Sequence, residues 1–105
     1  MLVNDELVNS CLVPVMQVDG ARICTVEGMS ENGSLHPVQR AFAEAGAAQC
    51  GICTPGMLLA SIHLLNRNPH PSLIEIKEGL AGNLCRCTGY QKIFDAVLTA
   101  TGQRR

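Results

Sequence analysis

Aromatic and charged residues are both scarce in this sequence. It has no tryptophan, one tyrosine and two phenylalanines, and charged residues make up 16% of its 105 residues, with a net charge of -1. The stacking platforms and the basic field of a typical nucleic-acid binder are therefore missing. Because 47% of the residues are hydrophobic, a disordered tail and a highly charged coiled coil are also excluded. We expect one small domain, or one domain with a fragment of another.

The sequence also shows no targeting or membrane signal. Its first residues, 1–6, carry acidic groups where a secretory signal carries basic ones, and no apolar core follows them. The longest stretch without charges, 45–66, is interrupted by glycine, proline and polar side chains, so no membrane helix is expected. We expect a cytoplasmic protein, in which thiols stay reduced and clustered cysteines are metal ligands or catalytic groups.

The chain changes from extended to helical character near residue 29. Residues 6–18 are rich in apolar and β-branched side chains, Asp19-Gly20 marks a turn and 21–26 form a second short strand, which predicts a β-hairpin. The rest predicts a mainly α fold with four helices, and residues 101–105 are expected to fray. The helices are predicted from about Pro37 to Gly46, from Thr54 to Leu65, from Leu73 to Ala81 after a Ser72–Glu75 capping box, and from Tyr90 onward.

Cysteines carry the strongest signal. A Cys50-x2-Cys53 pair is followed, after 31 residues, by a Cys85-x-Cys87 pair. Each pair lies between two predicted helices and is followed by threonine and glycine, so the chain contains a weak repeat of two helix-loop-helix units. Stacking the units about an approximate two-fold axis would bring four thiolates together at one end of a four-helix bundle.

The spacing alone leaves three chemistries open. Four thiolates hold either a [2Fe-2S] cluster or a tetrahedral zinc ion. Glycines beside the cysteines and the N-termini of the following helices favour an anionic iron-sulfur cluster, although zinc knuckles use similar glycines. Dithiol redox chemistry is the third possibility, but Cys50-Gly-Ile-Cys53 lacks the βαβ context of that motif.

Both cysteine segments resemble a known family. Residues 48–56 (AQCGICTPG) and 82–90 (GNLCRCTGY) are similar to the helical [2Fe-2S] domain in the small iron-sulfur subunit of molybdenum hydroxylases. That family includes xanthine dehydrogenase, aldehyde oxidoreductase and carbon monoxide dehydrogenase. Residues 7–15 (LVNSCLVPV) resemble the end of the ferredoxin-like domain that precedes the helical one. The resemblance implies a remnant of that β domain over 1–28 and a helical [2Fe-2S] domain over 29–105.

The resemblance also implies roles for individual residues. Cys50, Cys53, Cys85 and Cys87 would be the ligands of the cluster nearest the molybdenum cofactor. Gln49 matches a glutamine that hydrogen-bonds the pterin, and Cys87 matches the ligand closest to that pterin. The molybdopterin itself would belong to a large partner subunit and the flavin, FAD, to a medium partner subunit. The chain would then be the electron-transfer part of an oxidoreductase with no catalytic residue of its own.

One departure from the family pattern concerns the second cluster. Cys11 occupies the place of that cluster's fourth ligand, but the other three ligands are absent, so a second [2Fe-2S] cluster is not expected. Truncation of the chain is the favoured explanation, and supply of the missing part by another polypeptide is the alternative. Either way, apolar residues such as Leu12, Val13 and Val15 are expected to be exposed.

The main functional hypothesis is therefore an iron-sulfur electron-transfer subunit that passes single electrons from molybdopterin toward a second cluster and flavin. The alternatives are a zinc-binding interaction domain and a truncated, non-functional fragment. The sequence does not identify the substrate of such an enzyme. Other candidate residues are expected to have ordinary roles: Cys24 and Tyr90 in packing, and His36, His63 and His70 outside any metal site.

Overall fold

Four α-helices form the body of the molecule in a computed structural model that describes residues 1–102. The helices are α1 (Pro37–Ala45), α2 (Thr54–Arg67), α3 (Leu73–Gly79) and α4 (Gln91–Ala100). The mainly helical fold and the order of the four helices are as predicted. The predicted fraying of the C-terminus concerns chiefly residues 103–105, which lie outside the described part. No helix within residues 1–102 is both long and apolar enough to cross a membrane.

Local signals explain where α1 begins and ends. Pro37 occupies the first turn, where its missing N–H costs nothing. The imidazole of His36 accepts the Val38 N–H at 3.1 Å, and Gln39 Oε1 accepts the His36 N–H at 2.9 Å. These two reciprocal hydrogen bonds form a capping box in which histidine is the N-cap residue. Gly46 ends the helix in the left-handed conformation, with φ of 67°.

The core lies between the helices, and α4 packs chiefly against α1. Its most deeply buried members come from all four helices. They are Val38, Met57, Ile76, Ile93 and Val97. Burial of each such side chain contributes roughly 1.5–3 kcal/mol relative to exposure. Both α1 and α3 contact α2 as well as α4, and these last two helices begin immediately after the two cysteine segments.

The N-terminal segment corrects the predicted hairpin. Three two-residue strands, β1 (Leu2–Val3), β2 (Glu6–Leu7) and β3 (Ile23–Cys24), form an antiparallel sheet in the order β2-β1-β3. The hairpin is therefore β1–β2, and most of residues 6–18 form short 3-10 turns rather than a strand. Asn4 and Asp5 make the turn with φ of 49° and 69°, the left-handed values that a tight hairpin requires.

Apolar side chains of this segment are exposed, as expected for two of the three named residues. Leu12 and Val15 are 73% and 82% exposed, whereas Val13 is half-buried. Met16 adds a further exposed apolar side chain. The 3-10 turns therefore present an apolar strip that the helices do not cover.

The capping box of α3 yields a stability prediction. Ser72 Oγ accepts the Glu75 N–H at 3.2 Å, and Glu75 Oε1 accepts the Ser72 N–H at 2.9 Å, as the sequence predicts. Replacing Ser72 with alanine should lower the free energy of unfolding by about 1 kcal/mol, because a helix N–H loses its acceptor. Urea unfolding followed by circular dichroism measures this. An unchanged midpoint would show that the capping bond is not needed for the stability of α3.

Candidate metal centre

Two loops at the same end of the helices carry the four motif cysteines. The first loop, 46–53, joins α1 to α2 and holds Cys50 and Cys53. The second loop, 80–90, joins α3 to α4 and holds Cys85 and Cys87. In each loop one cysteine is exposed, Cys50 and Cys87, and the other is half-buried, Cys53 and Cys85.

The loops approach each other closely. Gly56, in the first turn of α2, faces Asn83 of the second loop, and a Cβ added at Gly56 would lie 2.7 Å from Asn83 Oδ1. A side chain at residue 56 would therefore displace the Asn83 amide from this position. The glycine thus leaves room for the Asn83 side chain of the second loop against the first turn of α2.

Contacts between the loops join the cysteines in two pairs. The Cys53 and Cys85 thiols interact across the loops, and this interaction contributes to the shifted pKa of both. The Cys87 thiol interacts across the loops with Cys50, which raises the Cys87 pKa. Each pair takes one cysteine from each loop, and the half-buried cysteines form an inner pair while the exposed ones form an outer pair.

The thiols differ in how readily they ionise. Burial, and then contact with Cys85, raises the pKa of the Cys53 thiol. Hydrogen bonding with Cys50 raises the pKa of Cys87. By contrast, the Thr88 hydroxyl and the Thr88 N–H lower the pKa of Cys85 to about 7. Since the thiolate is the form that ligates metals, Cys85 presents a ligand near neutral pH while its pair partner stays protonated.

Thr88 and Tyr90 hold the second loop. The Thr88 N–H donates to Cys85 Sγ at 3.4 Å, and the Thr88 Oγ1 lies 3.0 Å from the same sulfur. The Cys85 N–H donates to the Tyr90 hydroxyl at 3.0 Å. The sequence interpretation gave neither side chain a role in the site. The sequence signal for such a role is their position within three residues after Cys87, because residues of a short loop stay close to its cysteines.

The donor set fits an iron-sulfur cluster. Soft thiolates are the protein ligands of such clusters, and backbone N–H groups near the sulfurs stabilise their negative charge. Within residues 1–102, no three His, Cys, Asp or Glu side chains already converge on one metal position. The thiols interact across the loops in two pairs, and a [2Fe-2S] cluster takes two thiolates at each of its two irons.

The other candidate residues lie away from the paired thiols or on the surface beside them. Gln49 is exposed in the first loop, directly before Cys50, and Arg86 is exposed between the cysteines of the second loop. His36 caps α1. His63 Nε2 lies 3.9 Å from Glu6 Oε2, and His70 is exposed.

The two remaining cysteines, Cys11 and Cys24, lie in the N-terminal segment. Cys11 is exposed on a 3-10 turn and lines a cavity of about 450 Å³ together with Leu7, Gly56 and Asn83. Cys24 is half-buried in β3, and its thiol donates to the Thr25 carbonyl at 3.6 Å. Neither thiol takes part in the two pairs.

A helical domain with two thiol pairs at one end defines a class of thiolate-ligated metal-binding domains. Within that class, the chain belongs to the family of [2Fe-2S] binding domains, whose model matches residues 25–98. The zinc alternative has no support in this match.

Similar curated proteins are named as subunits of oxidoreductases. The chain is 50% identical over 103 residues to the nicotine 6-hydroxylase small subunit of Paenarthrobacter nicotinovorans. It is 46% identical to the xanthine dehydrogenase iron-sulfur-binding subunit of Escherichia coli O157:H7 over 100 residues. These matches cover 98% and 93% of this chain but only 62% and 63% of the relatives. The chain thus spans less than two thirds of their length.

The fold is also found in solved structures. Quinoline 2-oxidoreductase from Pseudomonas putida 86 matches with a TM-score of 0.91 and 44% identity, over 95% of this chain and 62% of that one. Aldehyde oxidoreductase from Desulfovibrio gigas matches with a TM-score of 0.90 and 38% identity, over 96% of this chain and 12% of that one. The predicted fold class and the resemblance to molybdenum hydroxylases are confirmed.

Proposed function

We propose that this chain is an iron-sulfur electron-transfer subunit of a molybdenum-containing hydroxylase or dehydrogenase. The observation that carries the proposal is the pairing of four cysteines across two loops in a chain of the [2Fe-2S] binding family. A bound [2Fe-2S] cluster supplies one-electron transfer. No catalytic acid, base or nucleophile is required from the chain.

Four ligands follow from the pairing. Cys53 and Cys85 would hold one iron, and Cys50 and Cys87 the other. Within the inner pair, Cys85 accepts the Thr88 N–H and contacts the Thr88 hydroxyl, which stabilises the Cys85 thiolate. The outer pair is exposed, which makes it the side from which electrons enter from a partner.

Partner and cofactor contacts belong to the outer side. Gln49 adjoins the exposed Cys50, so a pterin seated against this surface would contact Gln49 and the region of Cys87. The molybdopterin would be carried by a large subunit, and an FAD-binding medium subunit would accept the electrons later. The nicotine 6-hydroxylase small subunit and the xanthine dehydrogenase iron-sulfur-binding subunit support, by their names and their similarity, an assembly with further subunits.

The predicted division of the chain also stays a proposal. A boundary between 1–28 and 29–105 is supported by a family match that begins at residue 25. A single cluster is proposed for this chain, because Cys11 is the one residue in it that matches a ligand of the second cluster. The cytoplasmic location inferred from the sequence stays a prediction.

Chemical analysis tests the proposal directly. We expect anaerobically purified protein to contain about two irons and two acid-labile sulfides per chain, with one S = 1/2 EPR signal after dithionite reduction. Zinc without sulfide would replace the proposal with the structural zinc domain. Protein without any metal would indicate a fragment that does not function, and about four irons would show that another chain supplies ligands for a second cluster.

Gln49 provides a prediction that separates docking from cluster binding. Gln49→Ala should leave iron and sulfide content unchanged, because the exposed amide is not a cluster ligand. Reduction of the cluster by the substrate-treated molybdenum subunit should slow by about tenfold, as expected for loss of one hydrogen bond with a charged or buried partner. Stopped-flow spectroscopy measures the rate. Loss of the cluster in this variant would instead show that Gln49 is needed for the first loop to hold the cluster.

A further inference from the structure

Tyr90 has an unusual backbone conformation for a large residue. Its φ is 72°, and the preceding Gly89 has φ of 67°, so two consecutive residues adopt the left-handed region directly before α4. Glycine adopts this region freely, but a bulky side chain does so only where surrounding contacts over-determine it. Contacts of Tyr90 with its surroundings must therefore stabilise this conformation.

Those contacts close a ring around Cys85. The Cys85 N–H donates to the Tyr90 hydroxyl at 3.0 Å, and the Tyr90 N–H donates to Thr88 Oγ1 at 3.1 Å. Thr88 in turn contacts Cys85 Sγ through Oγ1 at 3.0 Å and through its N–H at 3.4 Å. The hydroxyl of Tyr90 thus fixes the backbone of Cys85, and its amide fixes the threonine that contacts the sulfur.

The tyrosine ring is itself held by the helices. It stacks on Phe94 of α4 with ring centroids 6.2 Å apart and an interplanar angle of 17°. The Lys77 ammonium of α3 lies 5.8 Å from the centroid of the Phe94 ring. Stacking on Phe94 of α4 therefore helps to set the position of the Tyr90 hydroxyl.

We propose that Tyr90 is a positioning residue for the metal ligand Cys85. Its hydroxyl accepts the Cys85 N–H and thereby keeps the Cys85 sulfur within hydrogen-bonding distance of the Thr88 N–H. This inference depends on the proposed function, since it assumes that Cys85 is a cluster ligand. Hydrogen bonds to ligand sulfurs stabilise the reduced, more negative cluster, so the positioning raises the reduction potential.

The test compares Tyr90→Phe with the unchanged chain in the cluster-loaded state. The variant keeps the ring and its stacking on Phe94 but removes the acceptor of the Cys85 N–H. We expect a more negative reduction potential in EPR-monitored titration and an about fivefold faster loss of the visible absorption in the presence of an iron chelator, the size expected for one hydrogen bond. An unchanged potential and chelator rate would overturn the proposal.

Two further variants exclude a merely structural role. Ser72→Ala lowers stability at a capping box away from the cysteine loops, so it should leave the potential and the chelator rate unchanged; equal changes in this variant would overturn the proposal. In a Thr88→Ala background, Tyr90→Phe should have a smaller effect, because residues that act through one another are not additive. An effect of undiminished size there would contradict action through Thr88. If the unchanged chain binds no cluster, the proposed function fails rather than this inference.

Discussion

Replacing Cys85 with serine should abolish cluster binding. Cys85 belongs to the inner thiol pair, and its thiol has a pKa lowered to about 7 by Thr88, so it is the cysteine most ready to ligate iron. A serine hydroxyl is a harder and far less acidic ligand, which does not match the soft thiolate sites of iron-sulfur clusters. We expect the visible spectrum to disappear together with the iron and the acid-labile sulfide.

The same substitution should destabilise the fold. The two loops are joined through their cysteines, and metal binding to a site that exists only in the folded state adds to the free energy of unfolding. We expect the serine variant to unfold at a lower urea concentration than the cluster-loaded chain. Circular dichroism at increasing urea concentration measures this difference.

Cys24→Ser is the matched control for this experiment. Cys24 is half-buried like Cys85, but it lies in β3 and its thiol contacts only the nearby Thr25 carbonyl among the hydrogen bonds described. The control should therefore keep its full iron and sulfide content. Undiminished cluster content in Cys85→Ser would remove Cys85 from the ligand set and with it the proposed inner pair.

Helix ends were predictable from the sequence because their signals are local. The first-turn Pro37, the Ser72–Glu75 capping box and the left-handed Gly46 each act within a few residues. The N-terminal hairpin was misplaced because β-branched residues indicate extended backbone without choosing a pairing partner. Asn4 and Asp5, which make the turn, were the signal that would have placed it.

The site was predictable only in part for the same reason. Cysteine spacing indicated four ligands on two loops, but it did not determine which thiols contact each other across the loops. That pairing depends on tertiary contacts such as the approach of Gly56 to Asn83. The role of Tyr90 is similarly invisible in sequence, because it requires a left-handed backbone that a tyrosine rarely adopts.

Replacing Ile93 with alanine should produce the largest loss of stability outside the cysteines. Ile93 is 0% exposed near the start of α4, the helix that packs chiefly on α1. Truncation removes buried methyl groups and leaves a cavity, which costs about 2–5 kcal/mol in cores of this kind. We expect the thermal midpoint of the cluster-loaded chain to fall by at least about 8 °C, since 1 kcal/mol shifts a domain of this size by roughly 4–8 °C.

Ile74→Ala provides a control with the same side-chain change at a different depth. Ile74 is 68% exposed on α3, so its truncation removes little buried surface and should change the free energy of unfolding by less than about 0.5 kcal/mol. Because α4 also carries the ring of Phe94 on which Tyr90 stacks, Ile93→Ala should in addition accelerate cluster loss to a chelator, whereas Ile74→Ala should not. If both variants lost stability and released the cluster equally, the packing of α4 against α1 would not be what supports the second cysteine loop.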